Sequence, residues 1–145
     1  MAVYFDTGLL LKLFVTEANS PQVMNLASSL GEPLAFSDFQ RAELMNALHC
    51  KAGRGEISSS TVDAIERRLR LEIKAGSLRW HEPAWKDVFE RTTHLSRSHA
   101  AATLCRTLDA VHVALALMLK IKQFATLDRR QEALAALAGL AVLKP

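Results

Sequence analysis

Short apolar runs of strand character alternate with segments of helical period along the whole of this chain, and that alternation limits the folds open to it. Residues 2–5, with Val3, Tyr4 and Phe5, form the first run and stop at Asp6, Thr7 and Gly8; residues 9–15 then read as a short helix. Ser20 supplies an N-cap and Pro21 a first-turn proline for a helix over residues 21–30, which Gly31 and Pro33 end. Leu34, Ala35 and Phe36 fit a second strand. Ser37, with Gln40 three residues on, makes a capping box for a helix whose buried stripe is Phe39, Ala42, Met45 and Leu48, closed by Gly53 and Gly55. Ser58 to Thr61 cap the next helix, with Val62, Ile65, Leu69 and Ile73 on one face until Gly76. A short strand over residues 78–81 follows.

Pro83 opens a further helix through Trp85, Val88 and Phe89, and the polar residues 96–99 break or bend the chain before Ala100. Helix resumes near Leu108. Residues 109–120 are nearly all apolar, too short to span a bilayer and suited to a helix buried against a sheet. Residues 124–126 give another strand, 129–137 a small helix that Gly139 terminates, and 140–143 a final strand. Strands separated by helices imply a parallel sheet covered on both faces, because each crossover lays a helix against the sheet.

With 145 residues, half of them apolar, the chain is long enough to bury a core without disulfide staples, and one domain over residues 1–145 is expected. Cys50 and Cys105 stand in no paired spacing, so they are expected to be reduced thiols packed as small hydrophobes. The first residues lack a basic segment and Lys12 interrupts the leucine run, so neither a signal peptide nor a membrane span is expected; the expected compartment is the cytoplasm. Residues 1–50 hold five acids against two bases, whereas residues 51–145 hold sixteen bases against ten acids. That asymmetry suits a polyanionic partner, although the cluster Arg67, Arg68 and Arg70 reads equally well as a solvated helix face.

Four acids stand at the edges of apolar segments: Asp6 after the first strand, Glu43 in a helix, Asp109 opening the apolar helix and Asp128 after residues 124–127. Carboxylates beside core residues are costly unless paired or coordinated, and four that converge repel one another until a divalent cation neutralises them. In open parallel sheets ligands bind at the carboxyl ends of the strands, which is where Asp6 and Asp128 fall; Glu43 and Asp109, in the first turns of their helices, can face the same crevice. Hard oxygen donors suit Mg2+ or Mn2+ and point to metal-assisted phosphodiester hydrolysis by water, leaving 5'-phosphate ends.

The opening Tyr4, Phe5, Asp6 and Thr7, the segment from Ser37 through Glu43 and Leu44, the stretch from Arg106 through Asp109 to Ala114, and Thr126 to Arg129 with Gly139 and Leu140 resemble the PIN domain, particularly VapC-like toxin ribonucleases. The resemblance covers nearly the whole chain. It implies an α/β/α sandwich around a central parallel sheet, Mg2+- or Mn2+-dependent endoribonuclease activity, homodimerisation and neutralisation by a cognate antitoxin. The family's acidic positions fall on Asp6, Glu43, Asp109 and Asp128. Thr7 and Thr126 are candidates to orient them, and Arg106 and Arg129 to clamp substrate phosphates or steady the acids. The family commonly places Ser or Thr where this chain has Gly8, which removes an orienting hydroxyl.

Each acid also has an ordinary role: Asp6 and Asp109 as helix N-terminal residues, Glu43 as a solvated helix residue, Asp128 as a turn residue. His112 reads as a satisfied core histidine rather than a ligand, and His94 and His99 as exposed histidines outside the site. Two rival functions follow from the same residues. A PIN-like module that has lost turnover would bind RNA or a protein only, with Gly8 as its support. The tripeptide Asp6, Thr7 and Gly8 also matches the aspartic-protease core, which requires a β-rich fold and a second copy.

Overall fold

Five short strands and seven helices alternate along the chain in a computed structural model that describes residues 1–145. They run β1 (Tyr4–Phe5), α1 (Thr7–Phe14), α2 (Ser20–Leu30), β2 (Leu34–Phe36), α3 (Asp38–Gly53), α4 (Ser59–Ala75), β3 (Leu78–Trp80), α5 (Trp85–Thr103), α6 (Thr107–Met118), β4 (Gln123–Ala125), α7 (Arg129–Leu137) and β5 (Ala141–Leu143). All pairings are parallel. β4 lies between β1 and β5, with Tyr4 opposite Phe124 and Phe5 opposite Ala125, while β2 pairs with β3. A bridge between Val3 and Leu34 joins the two ladders, and Ala35 N–H donates to the Val3 carbonyl at 2.8 Å. The sheet order is therefore β3-β2-β1-β4-β5.

Strand periodicity divides the core. Tyr4, Ala35 and Phe124 face a cluster built with Val88, Leu95 and the apolar residues 110–116 of α6; Val3, Phe5, Leu34, Phe36 and Ala125 face another with Leu9, Leu44, Leu48, Val62 and Leu69. Successive side chains in a strand point to opposite faces, so these short strands serve both layers. Helices α1 to α4 cover one face and α5 to α7 the other, giving the expected α/β/α sandwich. No helix is long and apolar enough to cross a membrane.

Local expectations are corrected at four places. Ser20 is not the N-cap of α2: Asn19 holds that position at φ 68°, while Ser20 Oγ accepts from the Glu17 N–H and donates to the Val15 carbonyl, closing the preceding turn. Ser37 holds the N-cap position of α3 but makes no side-chain cap to a backbone N–H, because its hydroxyl donates to Gln40 Oε1 at 3.1 Å. Gln40 is fully buried and gives its amide to the carbonyls of Phe5 and Ala35, which turns the helix so that Gln40, Leu44 and Leu48 are buried and Ala42 is exposed. Helix α5 continues unbroken through Ser96, Arg97 and Ser98, which lie on its exposed face, while the buried Leu95 holds the inner face. The chain turns instead at Leu104, φ 55°.

Both cysteines are free, but Cys50 is exposed rather than packed. Cys105 is half-buried, and burial together with the charges of Asp109 and Asp128 pushes its thiol up to about 11.

Candidate active site

The strand order reverses direction between β1 and β4, and Asp6 and Asp128 follow the carboxyl ends of those two strands. Asp6 follows β1 directly, its N–H bonded to the Ala125 carbonyl at 3.1 Å. Its Oδ1 accepts from the Leu9 N–H at 2.8 Å, capping α1, and its Oδ2 accepts from the Thr126 hydroxyl at 2.7 Å. Burial raises the Asp6 pKa despite those two hydrogen bonds, and the charge of Asp109 adds to the rise. A cation beside Asp6 would offset that burial cost.

Glu43 reaches the same region from the second turn of α3, whose angle Gln40 fixes against the ends of β1 and β2. Its Oε1 accepts from the Thr7 hydroxyl at 2.8 Å and meets His112 Nε2 at 2.5 Å; its Oε2 has no protein partner. Burial acts to raise the Glu43 pKa, but hydrogen bonds from His112 and Thr7 outweigh it and hold the group below its ordinary value. Glu43 is half-buried, and its Oε2 is left without a protein partner.

Asp109, in the first turn of α6, pairs through Oδ2 with the exposed Arg106 at 3.1 Å. Asp128 caps α7 by accepting from the Gln131 N–H at 2.9 Å, and its own N–H donates to Thr126 Oγ1 at 3.0 Å. Gln131, almost wholly buried, also gives its amide to the Asp109 carbonyl at 3.1 Å, so one side chain fixes the start of α7 to the start of α6. Arg129 is exposed beside Asp128.

The ordinary capping roles of Asp6 and Asp128 are therefore present alongside their place at the crevice. No group of three or more Asp, Glu, His or Cys side chains is placed to hold a metal ion. The donor set nevertheless fits a hard divalent cation, since Mg2+ is held by one or two carboxylates with waters rather than by an all-protein cage. A carboxylate can accept about four hydrogen bonds, and Glu43 Oε2, Asp109 Oδ1 and Asp128 Oδ2 have none from protein. The Arg106 to Asp109 contact is an exposed pair of the kind worth roughly 0–1 kcal/mol, so it competes weakly with a cation.

A Cβ at Gly8 would meet Asp6 Oδ1 at 3.5 Å, so the side chain missing there would lie against the first acid. Three further residues support the acids: Tyr4, His112 and Gln131. His112 is a buried core residue as expected, yet its ring also touches Glu43. The i, i+3 spacing from Asp109 to His112 was the available signal; nothing in the sequence marks Gln131. The aspartic-protease alternative fails on architecture, because the single Asp6, Thr7 and Gly8 segment begins a helix after a strand of a parallel sheet.

The PIN domain sequence profile matches residues 3–137. No curated protein sequence matches the chain. Among solved structures, the fold is similar to that of Mycobacterium tuberculosis VapC20, a sarcin-ricin loop cleaving toxin, with a TM-score of 0.73 and 18% identity over 99% of this chain and 100% of that one. It is similar to FitAcB from Neisseria gonorrhoeae at a TM-score of 0.68 and 21% identity, covering 97% of this chain and 96% of that one. A third, VapBC2 from Rickettsia felis bound to a promoter DNA fragment, has a TM-score of 0.66 and 12% identity over 100% and 99% of the two chains. At such identities the likeness is one of fold, whereas the profile spans nearly the whole sequence. The chain belongs to the PIN domain family.

Proposed function

We infer that this protein is a Mg2+- or Mn2+-dependent endoribonuclease, the toxin of a toxin–antitoxin pair, with Asp6, Glu43, Asp109 and Asp128 as its metal-holding and catalytic residues. The single observation that carries this reading is the burial of Asp6 at the sheet's switch point, joined through the Thr126 hydroxyl to the start of α7 at Asp128. A divalent cation bound there supplies a Lewis acid and an activated water for hydrolysis of a phosphodiester.

The chain's own residues do the rest. Thr126 and the Leu9 N–H fix Asp6, Thr7 fixes Glu43, and Gln131 holds Asp109 and Asp128 on adjoining helix starts. Arg106, with its side chain 77% exposed, and the exposed Arg129 flank the crevice and meet substrate phosphates. The solved neighbours include toxin–antitoxin complexes, which supports a cognate antitoxin as partner; a homodimer of single-domain chains in the cytoplasm completes the reading. A PIN-like module that binds RNA without turnover is the second reading, favoured by Gly8 beside Asp6.

The test is cleavage of a mixed cellular RNA pool by the purified protein with Mn2+ or Mg2+, against EDTA and against Asp6→Asn and Asp109→Asn. Metal-dependent cuts with 5'-phosphate ends, lost in both folded variants, are expected. Cyclic-phosphate ends, or cuts indifferent to both substitutions, overturn the mechanism; tight Mn2+ binding with no cuts selects the binding module.

A further inference from the structure

Glu43 is held from behind by a chain of buried side chains that the catalytic reading does not use. The hydroxyl of Tyr4 has one hydrogen-bond partner, His112 Nδ1 at 2.7 Å, so the phenol donates there and the ring's hydrogen lies on Nε2, facing Glu43 Oε1 at 2.5 Å. A carboxylate only accepts, so Thr7 and His112 both present hydrogens to the same oxygen, and Oε2 has no protein partner. Neither aromatic partner is free to turn. The Tyr4 ring stacks on Phe124 at 5.2 Å with the planes 6° apart, and the His112 ring lies 4.7 Å from that of Phe39.

We propose that His112, backed by Tyr4, is a positioning residue that fixes Glu43 with one oxygen inward and the other presented to the metal. The inference rests on the metal-centre reading above. A glutamate has three rotatable side-chain bonds, and an unsupported one would present its oxygen in several orientations; the entropy of choosing one is settled here during folding. A histidine buried only for packing would be replaceable by an apolar side chain of similar volume at no cost to the site. A histidine that orients a ligand would not, because loss of such a supporting hydrogen bond costs roughly 10–100-fold in metal affinity.

The experiment is a Mn2+ titration, followed by calorimetry, of the full chain and of His112→Leu, His112→Gln, Tyr4→Phe and Glu43→Gln, each checked for fold by circular dichroism in EDTA. The expected result is Mn2+ binding by the wild type, weakened roughly 10–100-fold in His112→Leu and largely restored in His112→Gln, which keeps an N–H near the position of Nε2. Tyr4→Phe gives a smaller loss, and His112→Leu adds nothing once Glu43→Gln is present, because the two act through one contact. Should His112→Leu fail to fold, Tyr4→Phe and His112→Gln carry the test, and an affinity indifferent to Tyr4→Phe then overturns the inference. Wild-type affinity in a folded His112→Leu, or an equal further loss in the Glu43→Gln background, overturns it while leaving the nuclease reading intact. A folded wild type that binds no Mn2+ overturns that reading itself.

Discussion

The hydroxyl of Thr126 donates to Asp6 Oδ2 across 2.7 Å, although 120 residues separate the two along the chain. Thr126 Oγ1 itself accepts from the Asp128 N–H at 3.0 Å, so Thr126 joins the ends of β1 and β4 and the start of α7. Thr126→Val keeps the shape and removes both bonds. In EDTA it is expected to lower unfolding free energy by about 1–3 kcal/mol, the cost of leaving buried polar groups unpaired, and Thr126→Ser to recover most of that. Urea unfolding of the three proteins measures it; equal stabilities would mean the hydroxyl is replaceable.

Asp6 makes stability fall with pH when no metal is present. Its folded pKa lies above the ordinary 3.8, so the protonated form is favoured by folding; that contribution is complete below 3.8 and is lost as pH rises through the folded value. Asp6→Asn cannot ionise there. The wild-type stability minus that of Asp6→Asn is therefore expected to decrease as pH rises from below 3.8 towards neutrality in EDTA. A difference that stays flat or increases across a urea-denaturation series would contradict the assignment.

Mn2+ is expected to stabilise the folded chain. At a free concentration one hundred times the dissociation constant, linkage gives about 2.7 kcal/mol, readable as a rise in thermal midpoint. Asp6→Asn and Asp109→Asn should abolish most of that rise. If both variants respond to Mn2+ like the wild type, the cation binds elsewhere.

Gly8 lies in the first turn of α1, where an added methyl meets Asp6 Oδ1 only at ordinary contact distance, 3.5 Å. Gly8→Ala should raise stability by up to about 1 kcal/mol, since alanine surrenders less backbone freedom on entering a helix. Thermal melts in EDTA test this. A destabilised Gly8→Ala would reveal a constraint at that position other than the contact with Asp6.

The architecture was legible because the apolar spacing of α4 and α7 and the strand runs at Leu34 and Phe124 follow directly from burial on one or two faces. The sequence misled where a polar residue was read by its usual local role. The hydroxyls of Ser20 and Ser37 bond to near neighbours other than the helix N–H groups, and no local pattern reveals that the Gln40 amide reaches the Phe5 carbonyl. Residues 96–99 read as a break because their polarity was weighed without the buried Leu95 that keeps the helix in place. At the site, strand ends located Asp6 and Asp128. The bonds of Tyr4, His112 and Gln131 to residues far along the chain arise only once α6 and α7 pack, so the i, i+3 spacing of Asp109 and His112 marks a shared helix face but not these partners.

The place of β1 in the middle of the sheet has a consequence for synthesis. A chain emerging from its N-terminus makes β1 first, yet one side of that strand is completed by β4, with Tyr4 waiting for Phe124. Pairings of such long sequence separation form late, because the loop between them must close first. Until β4 has left the ribosome, Asp6 lacks Thr126, and Glu43 lacks His112 until α6 docks. An incomplete polypeptide thus carries Asp6 and Glu43 without the side chains of α6 and of the β4–α7 turn that complete their surroundings.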